Sequence, residues 1–239
     1  MNPIRASLLV ASCLILCPAA FAASEGFHLE AEAGVVLSTG NADSQSFNFK
    51  QQSTYGFDVN LFKFFGKFLS TSASGVETAR SWNLGARYER SLASNFSLFA
   101  GQALESDIFS GVIQRYNTDA GGKYFFVKEE AFDWSAEAGY RLSVENRYAG
   151  QVSQNYLRFY SEANRAWTKT FTTRLSVEYL PNLTQNTDYQ LNGELSGNAA
   201  ISELFAIKVG YLLKYRNVPV APATRTTDTQ LTTALVAKL

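Results

Sequence analysis

The sequence predicts an all-β chain: a closed antiparallel up-and-down transmembrane β-barrel of about twelve strands, with short periplasmic turns and longer external loops. Three observations predict it. Apolar and polar residues alternate with a period of two along almost the whole chain, the repeat of a strand whose two faces meet different surroundings. The first residues read as a secretory leader. Beyond residue 22 no window approaches the ~20 apolar residues that a membrane-spanning helix needs. A secreted chain of this kind is either soluble or an outer-membrane barrel.

The leader comprises residues 1–22. Arg5 supplies its positive charge, Ala6 to Cys17 its apolar run and Ala20-Phe21-Ala22 its cleavage site, so a single barrel domain is expected over residues 23–239. Cys13 and Cys17 are the only cysteines and leave with the leader, which excludes a disulfide from the mature chain. A rival reading takes Val10-Ala11-Ser12-Cys13 as a lipoprotein cleavage box. Lys+Arg and Asp+Glu are both 21, a balance that argues against nucleic-acid binding.

The first strand carries Phe27, Leu29, Ala31, Ala33, Val35 and Leu37 on one face and His28, Glu30, Glu32 and Ser38 on the other. The Gly40-Asn41 turn leads to Phe47, Phe49, Tyr55 and Phe57 against Asn48, Lys50, Gln52 and Thr54. A reversal over Asp58 to Asn60 follows, then Phe62, Phe64 and Phe68 against Lys63 and Lys67, and a longer polar loop over about Ala73 to Ala79. The fourth strand sets Trp82, Leu84, Ala86 and Tyr88 against Asn83, Arg87 and Glu89. A turn at Ala93-Ser94-Asn95 opens the fifth, with Phe96, Leu98, Ala100 and Leu104, before a loop at Asp107 to Gly111. The sixth sets Tyr116, Ala120 and Tyr124 against Arg115, Asn117, Asp119 and Lys123.

A turn at Lys128-Glu129-Glu130 introduces Phe132, Trp134, Ala136, Ala138 and Tyr140 against Asp133, Glu137 and Arg141, followed by a long loop from Val144 to Ser153. Leu157, Phe159 and Ala163 oppose Arg158, Glu162 and Asn164; after Trp167-Thr168-Lys169, Phe171, Leu175, Val177 and Tyr179 oppose Arg174 and Glu178. A loop through Asn182 leads to Tyr189, Leu191 and Leu195 against Gln190, Asn192 and Glu194. After Ser202-Glu203 come Phe205, Ile207, Val209, Tyr211, Leu213 and Tyr215 against Lys208, Lys214 and Arg216. The loop from Val218 to Thr224 holds two of the five prolines, Pro219 and Pro222, and Leu231, Leu235 and Leu239 close the chain against Asp228, Gln230 and Lys238.

Alternation alone does not say which face looks inward. In a soluble barrel the apolar face fills the interior; in a membrane barrel it meets lipid. The apolar face here is almost free of charge and rich in Gly and Ala (Ala31, Ala33, Ala136, Ala138, Gly193, Gly197), which lipid tolerates better than a packed core does. The polar face is therefore expected to line the lumen: Glu32, Lys50, Lys63, Lys67, Arg87 and Glu89 early in the chain, Arg115, Asp119, Lys123, Glu137 and Arg141 in its middle, and Arg158, Glu162, Arg174, Glu178, Glu194, Lys208 and Lys214 late. Trp134 and Trp167 are expected near the periplasmic interface and Trp82 near the outer one.

Catalysis and metal binding have little material. His28 is the only histidine and sits at a strand end, where a solvated side chain is the simpler reading. Glu30 and Glu32 share a strand face, as an acid-base pair would, yet ion pairing explains them as well. Ala120-Gly121-Gly122-Lys123-Tyr124 lacks the spacing of a phosphate loop, and its glycines are expected to mark a bend or bulge. No cofactor, metal site or enzymatic activity is expected.

LSTGNADSQSFNFK, RYNTDAGGKYFF and TDTQLTTALVAKL resemble the YdiY-like family, a domain of unknown function (481) in Gram-negative outer-membrane proteins often labelled salt-induced. The resemblance covers the mature chain, and the Thr39-Gly40-Asn41…Asp43 turn is its most specific part. It implies an outer-membrane barrel, handled by the barrel-assembly machinery and embedded in outer-membrane lipid, with a link to salt or osmotic stress; it implies no catalytic residues. Members often end in an aromatic residue, where this chain has Leu239.

Three functions fit. The first is a monomeric passive-diffusion pore for small solutes or ions with a mixed-charge lumen. The second is a structural or adhesive barrel whose lumen is closed by paired side chains. The third is a soluble periplasmic barrel that binds a ligand.

Overall fold

The computed structural model describes residues 26–38 and 44–238. The expected leader, its cysteines, the TGNAD turn and Leu239 lie outside the described residues. Twelve strands follow one another: β1 (Phe27–Ser38), β2 (Ser44–Phe57), β3 (Asn60–Ala73), β4 (Val76–Ala93), β5 (Phe96–Asp107), β6 (Val112–Lys128), β7 (Phe132–Arg147), β8 (Gly150–Ala166), β9 (Phe171–Pro181), β10 (Tyr189–Ala200), β11 (Phe205–Arg216) and β12 (Thr227–Lys238), with one 3-10 turn at Ile108–Ser110. Each pairs antiparallel with its chain neighbours, and β1 pairs with β12, so the sheet closes on itself. Closure gives every strand a partner on both sides, the arrangement that lets strands cross hydrocarbon, although β1 and β12 pair only from Glu30↔Lys238 to Ala33↔Leu235.

The pleat carries the alternation around the ring. Ala33 faces Phe49, Phe62 faces Tyr88, Ala100 faces Ala120, Tyr179 faces Leu191 and Ile207 faces Leu235, all on the outer face. Leu84, Leu195, Ile207 and Leu231 are well exposed there. Polar groups on that face pair with one another: Thr118 donates to Gln102 at 2.6 Å, and Trp134 Nε1 donates to Ser161 at 3.0 Å. Such pairs remove the cost of bare polar groups in lipid.

Aromatic side chains gather at both rims. Tyr55, Phe57, Phe62 and Tyr88 form a run at the end that holds the termini, and Phe126 stacks on Trp134 beside them in the same rim. Tyr179, Tyr189 and Tyr215 form a group at the opposite end. Two girdles of this kind mark the interfaces of a membrane barrel.

The structure corrects three expectations. The loop expected over Ala73 to Ala79 is a tight hairpin, with Ala73 facing Val76 across Ser74 and Gly75. Both turn residues have positive φ, 50° and 76°, as a two-residue hairpin of this hand requires. The loop expected from Val144 to Ser153 is also strand: β7 runs to Arg147, β8 restarts at Gly150, and Glu145 faces Val152. Both stretches read as loops because they are polar, but strands that rise past the membrane need no apolar face. The glycines at Gly121 and Gly122 make no bulge; the β6 ladder is regular there, and its shifts lie at Val112/Gln114 and Phe125/Val127. The remaining long connections, 182–188 and 217–226, are on the end opposite the termini.

Candidate functional site

The inner face carries the charges, and each is placed by the parity of its strand. Ion pairs between strands that are not neighbours reach across interior space, and they involve Glu32, Lys50, Arg87, Glu89, Asp119, Lys123, Glu137, Arg141, Arg158, Glu178, Glu194, Lys208 and Lys214. Lys63, Lys67, Arg115, Glu162 and Arg174 share the same face by register.

The largest cluster lies on the inner faces of β4 to β9. Arg87 of β4 donates through both terminal nitrogens to Glu137 of β7, at 3.0 and 2.7 Å. Arg158 of β8 donates to the same carboxylate at 2.6 Å and to Glu178 of β9 at 2.7 Å. Arg141 clamps Asp119 with two bonds of 2.7 Å and reaches Glu178 at 3.2 Å. Arg87 also lies 2.8 Å from Glu89, and Lys123 stands 3.9 Å from Glu89. Bidentate guanidinium–carboxylate pairs are the strong form of this interaction.

The cluster rests on a floor of small residues. The Phe99 ring lies inward with Arg87 stacked above it at 3.8 Å, and Arg158 is 5.8 Å from the same ring. Gly121 makes room beneath: a Cβ there would lie 2.4 Å from the Ala138 carbonyl oxygen and 2.9 Å from the Phe99 ring. Stacking a weakly hydrated guanidinium on an aromatic face suits a half-dry lumen.

A second cluster fills the end away from the termini. Arg115 donates to Glu105 at 2.8 Å and to Glu145 at 2.9 Å, and Arg147 Nη2 lies 2.6 Å from Glu145. Arg216 of β11 lies 3.8 Å from Glu145 and 3.2 Å from Asp188. Buried Tyr156 donates to Gln154 and accepts from Gln190 at 3.2 Å. Over this cluster lies the loop 217–226. The Val218 amide donates to Asp188 at 3.2 Å, Val220 is buried, and the Gly111 backbone packs beneath the Val220 carbonyl. Lys214 reaches Asp107 on the far wall at 3.4 Å.

A third cluster joins the walls nearer the termini. Lys208 donates to Glu32 at 2.7 Å and stands 3.7 Å from Glu194; Lys50 lies 3.5 Å from Glu32 and 3.9 Å from Glu194. Arg174 donates to Glu162 at 2.6 Å, and Tyr160 donates to the same carboxylate. Lys63 and Lys67 come within 4.0 Å of no carboxylate among the described residues. Glu30 and Glu32, weighed as an acid-base pair, are tied to different partners, Lys238 and Lys208. His28 is exposed at the rim. Among the described residues no three metal-ligating side chains converge.

Filling is unequal. Glu137 and Arg158 are buried, and Glu145 is 0 % exposed. Around Lys50, Glu194 and Arg174 the side chains keep 29 %, 29 % and 31 % of their exposure. Sequence reasoning missed Glu145, Arg147 and Asp188 among the ion-paired groups. It also missed the inward apolar residues Phe99, Phe65 and Leu69. Glu145 and Arg147 continue the parity of Arg141, which is the signal that would have found them.

A closed twelve-stranded barrel with charge inside and an apolar band outside has the architecture of outer-membrane channels. The chain belongs to the family described as protein of unknown function DUF481, whose model matches residues 31–239. The uncharacterized protein YdiY of Escherichia coli (strain K12) is 24 % identical over 217 residues, covering 89 % of this chain and 83 % of that protein. Among solved structures, an outer membrane channel from Pseudomonas putida F1 is similar with a TM-score of 0.55 and 12 % identity, over 89 % of this chain and 94 % of that one. The NanC porin is similar with a TM-score of 0.51 and 10 % identity, over 88 % and 97 %. At these identities the likeness is one of fold. Neither solved relative is named as an enzyme.

Proposed function

We propose that this chain is a monomeric outer-membrane pore through which small solutes or ions diffuse along a constricted, charged lumen. The observation that carries the reading is the unequal filling of the interior. Ion pairs occupy the β4 to β9 wall, while Lys50, Glu194 and Arg174 stay accessible within the barrel. A narrow wet passage beside a fixed charge network passes small hydrated species and excludes large ones. The outward apolar band supports the outer membrane as its location and speaks against a soluble ligand-binding barrel, whose charges would face water outside.

A second reading, a structural or adhesive barrel with a closed lumen, is favoured by one observation: the Lys214–Asp107 pair and the loop 217–226 lie across the mouth. Single-channel recording in planar bilayers decides between them. Heat-modifiable, folded protein should give discrete conductance steps. Silence from folded protein would favour the closed barrel, and a water-soluble chain without heat-modifiable migration would overturn both.

A further inference from the structure

The inner face of β3 differs from the rest of the wall. Its inward residues are Leu61, Lys63, Phe65, Lys67 and Leu69, an alternation of apolar and cationic side chains along the passage. One cross-strand neighbour of each lysine is a cation as well, and the other is neutral, Thr54 for Lys63 and Asn83 for Lys67. Lys67 stands opposite Lys50 on β2, and Lys63 stands opposite Arg87 on β4. Like charges directly opposite one another in an antiparallel pair are destabilising. Lys50 is neutralised by Glu32 and Glu194, and Arg87 by Glu137 and Glu89. Lys63 and Lys67 have no such partner among the described residues. Two lysines about 13 Å apart along one strand thus make no close ion pair, because the carboxylates nearest them, Glu89 for Lys63 and Glu194 for Lys67, are engaged by Arg87 and by Lys50 and Lys208.

Between them lies Phe65. Its ring rests over Gly85 of β4, where a Cβ would come 2.3 Å from a ring carbon. The absent side chain lets the ring lie against the wall. An ammonium, an aromatic face and a second ammonium follow in line.

We infer that the β3 wall is a binding track for small organic carboxylates with an apolar face, with Lys63 and Lys67 taking the carboxylate and Phe65 the apolar body. The inference rests on the pore reading above but has its own readout. A mobile anion supplies the close ion pair that the protein does not, and the aromatic face between the lysines favours a flat apolar anion over chloride.

Benzoate is the probe. In planar bilayers under a KCl gradient, the wild-type pore should prefer chloride to potassium several-fold, and benzoate should slow chloride current. Lys63→Gln with Lys67→Gln should abolish both effects while heat-modifiable folding persists. Phe65→Ser should keep the chloride preference and lose the benzoate effect. A folded double variant with unchanged selectivity would overturn the track, as would benzoate acting equally on wild type and Phe65→Ser. A second measurement needs no conduction: acetylation of folded protein in detergent, read residue by residue by mass spectrometry. Benzoate should protect Lys63 and Lys67 but not Lys169 on its exposed turn. Protection without conductance would retain the track and overturn the pore. Conductance without protection would retain the pore and overturn the track.

Discussion

Lys214 and Asp107 meet at 3.4 Å although β11 and β5 stand six places apart in a ring of twelve. That is half the circumference, so the contact spans the full width of the mouth. It lies beneath the loop 217–226, which is tied to Asp188 on one side and packs on Gly111 on the other. The pair is well placed to restrict entry, yet it is too exposed to hold the fold together.

Asp107→Asn should therefore raise single-channel conductance or lengthen open times while leaving stability within about 1 kcal/mol, the range of an exposed ion pair. Lys214 keeps 46 % of its side-chain exposure, which is why little stability is at stake. Unfolding in denaturant alongside bilayer recording checks both halves; a large stability loss with unchanged conductance would contradict this view of the mouth.

Glu137 presents the opposite case. It accepts from both Arg87 and Arg158, and it is 5 % exposed. Removing the carboxylate leaves two guanidiniums facing each other without their shared partner. Glu137→Ala should cost about 3–5 kcal/mol in the folding equilibrium, and adding Arg87→Met should recover part of the loss. A double-variant cycle in detergent micelles measures the coupling.

Gly121 is confined first by backbone, the Ala138 carbonyl oxygen and Gly139 Cα, and then by the Phe99 ring. Gly121→Ala sets a methyl 2.4 Å from the Ala138 carbonyl oxygen. A destabilisation of about 1–3 kcal/mol is expected from this overpacking. Relocation of the Phe99 ring should also weaken the Arg87 stack, visible as greater accessibility of Glu137 to carboxyl-modifying reagents.

Leu195 tests the surroundings of the outer face. It lies midway along β10 and is 55 % exposed. Leu195→Arg should cost about 2–4 kcal/mol when the protein is folded into lipid, the penalty for a cation near the bilayer midplane. In a water-exposed barrel the same change would shift stability by no more than about 0.5 kcal/mol.

Much of this was legible because a strand has a period of two. The alternation within each strand puts Glu32, Lys50 and Lys67 on the polar face, and the register then brings the three side by side. Polarity failed as a guide where the membrane no longer imposed an apolar face, so Glu145 was read as loop although it is the most buried acid of the mouth cluster. Contacts such as Arg87 with Glu137 were illegible for another reason. They join β4 to β7, and only the curvature of the closed ring brings those strands within reach of each other. Phe65 and Phe99 were missed because an apolar residue on a polar face reads as noise unless the charge it supports is known.

The join between first and last strands has a mechanical consequence. β1 and β2 pair from Phe27 through Ser38, but the described pairing of β1 with β12 runs only from Glu30↔Lys238 to Ala33↔Leu235. The cylinder is stitched along one short stretch near its termini, while Val35 to Leu37 and Leu231 to Thr233 lie beyond the stitching. The amides there that point across the seam, and not those paired with β2 or β11, should exchange with solvent deuterium ahead of the β6–β7 ladder, and the barrel should come apart by unzipping there. The last bonds made during insertion would then be the first ones lost.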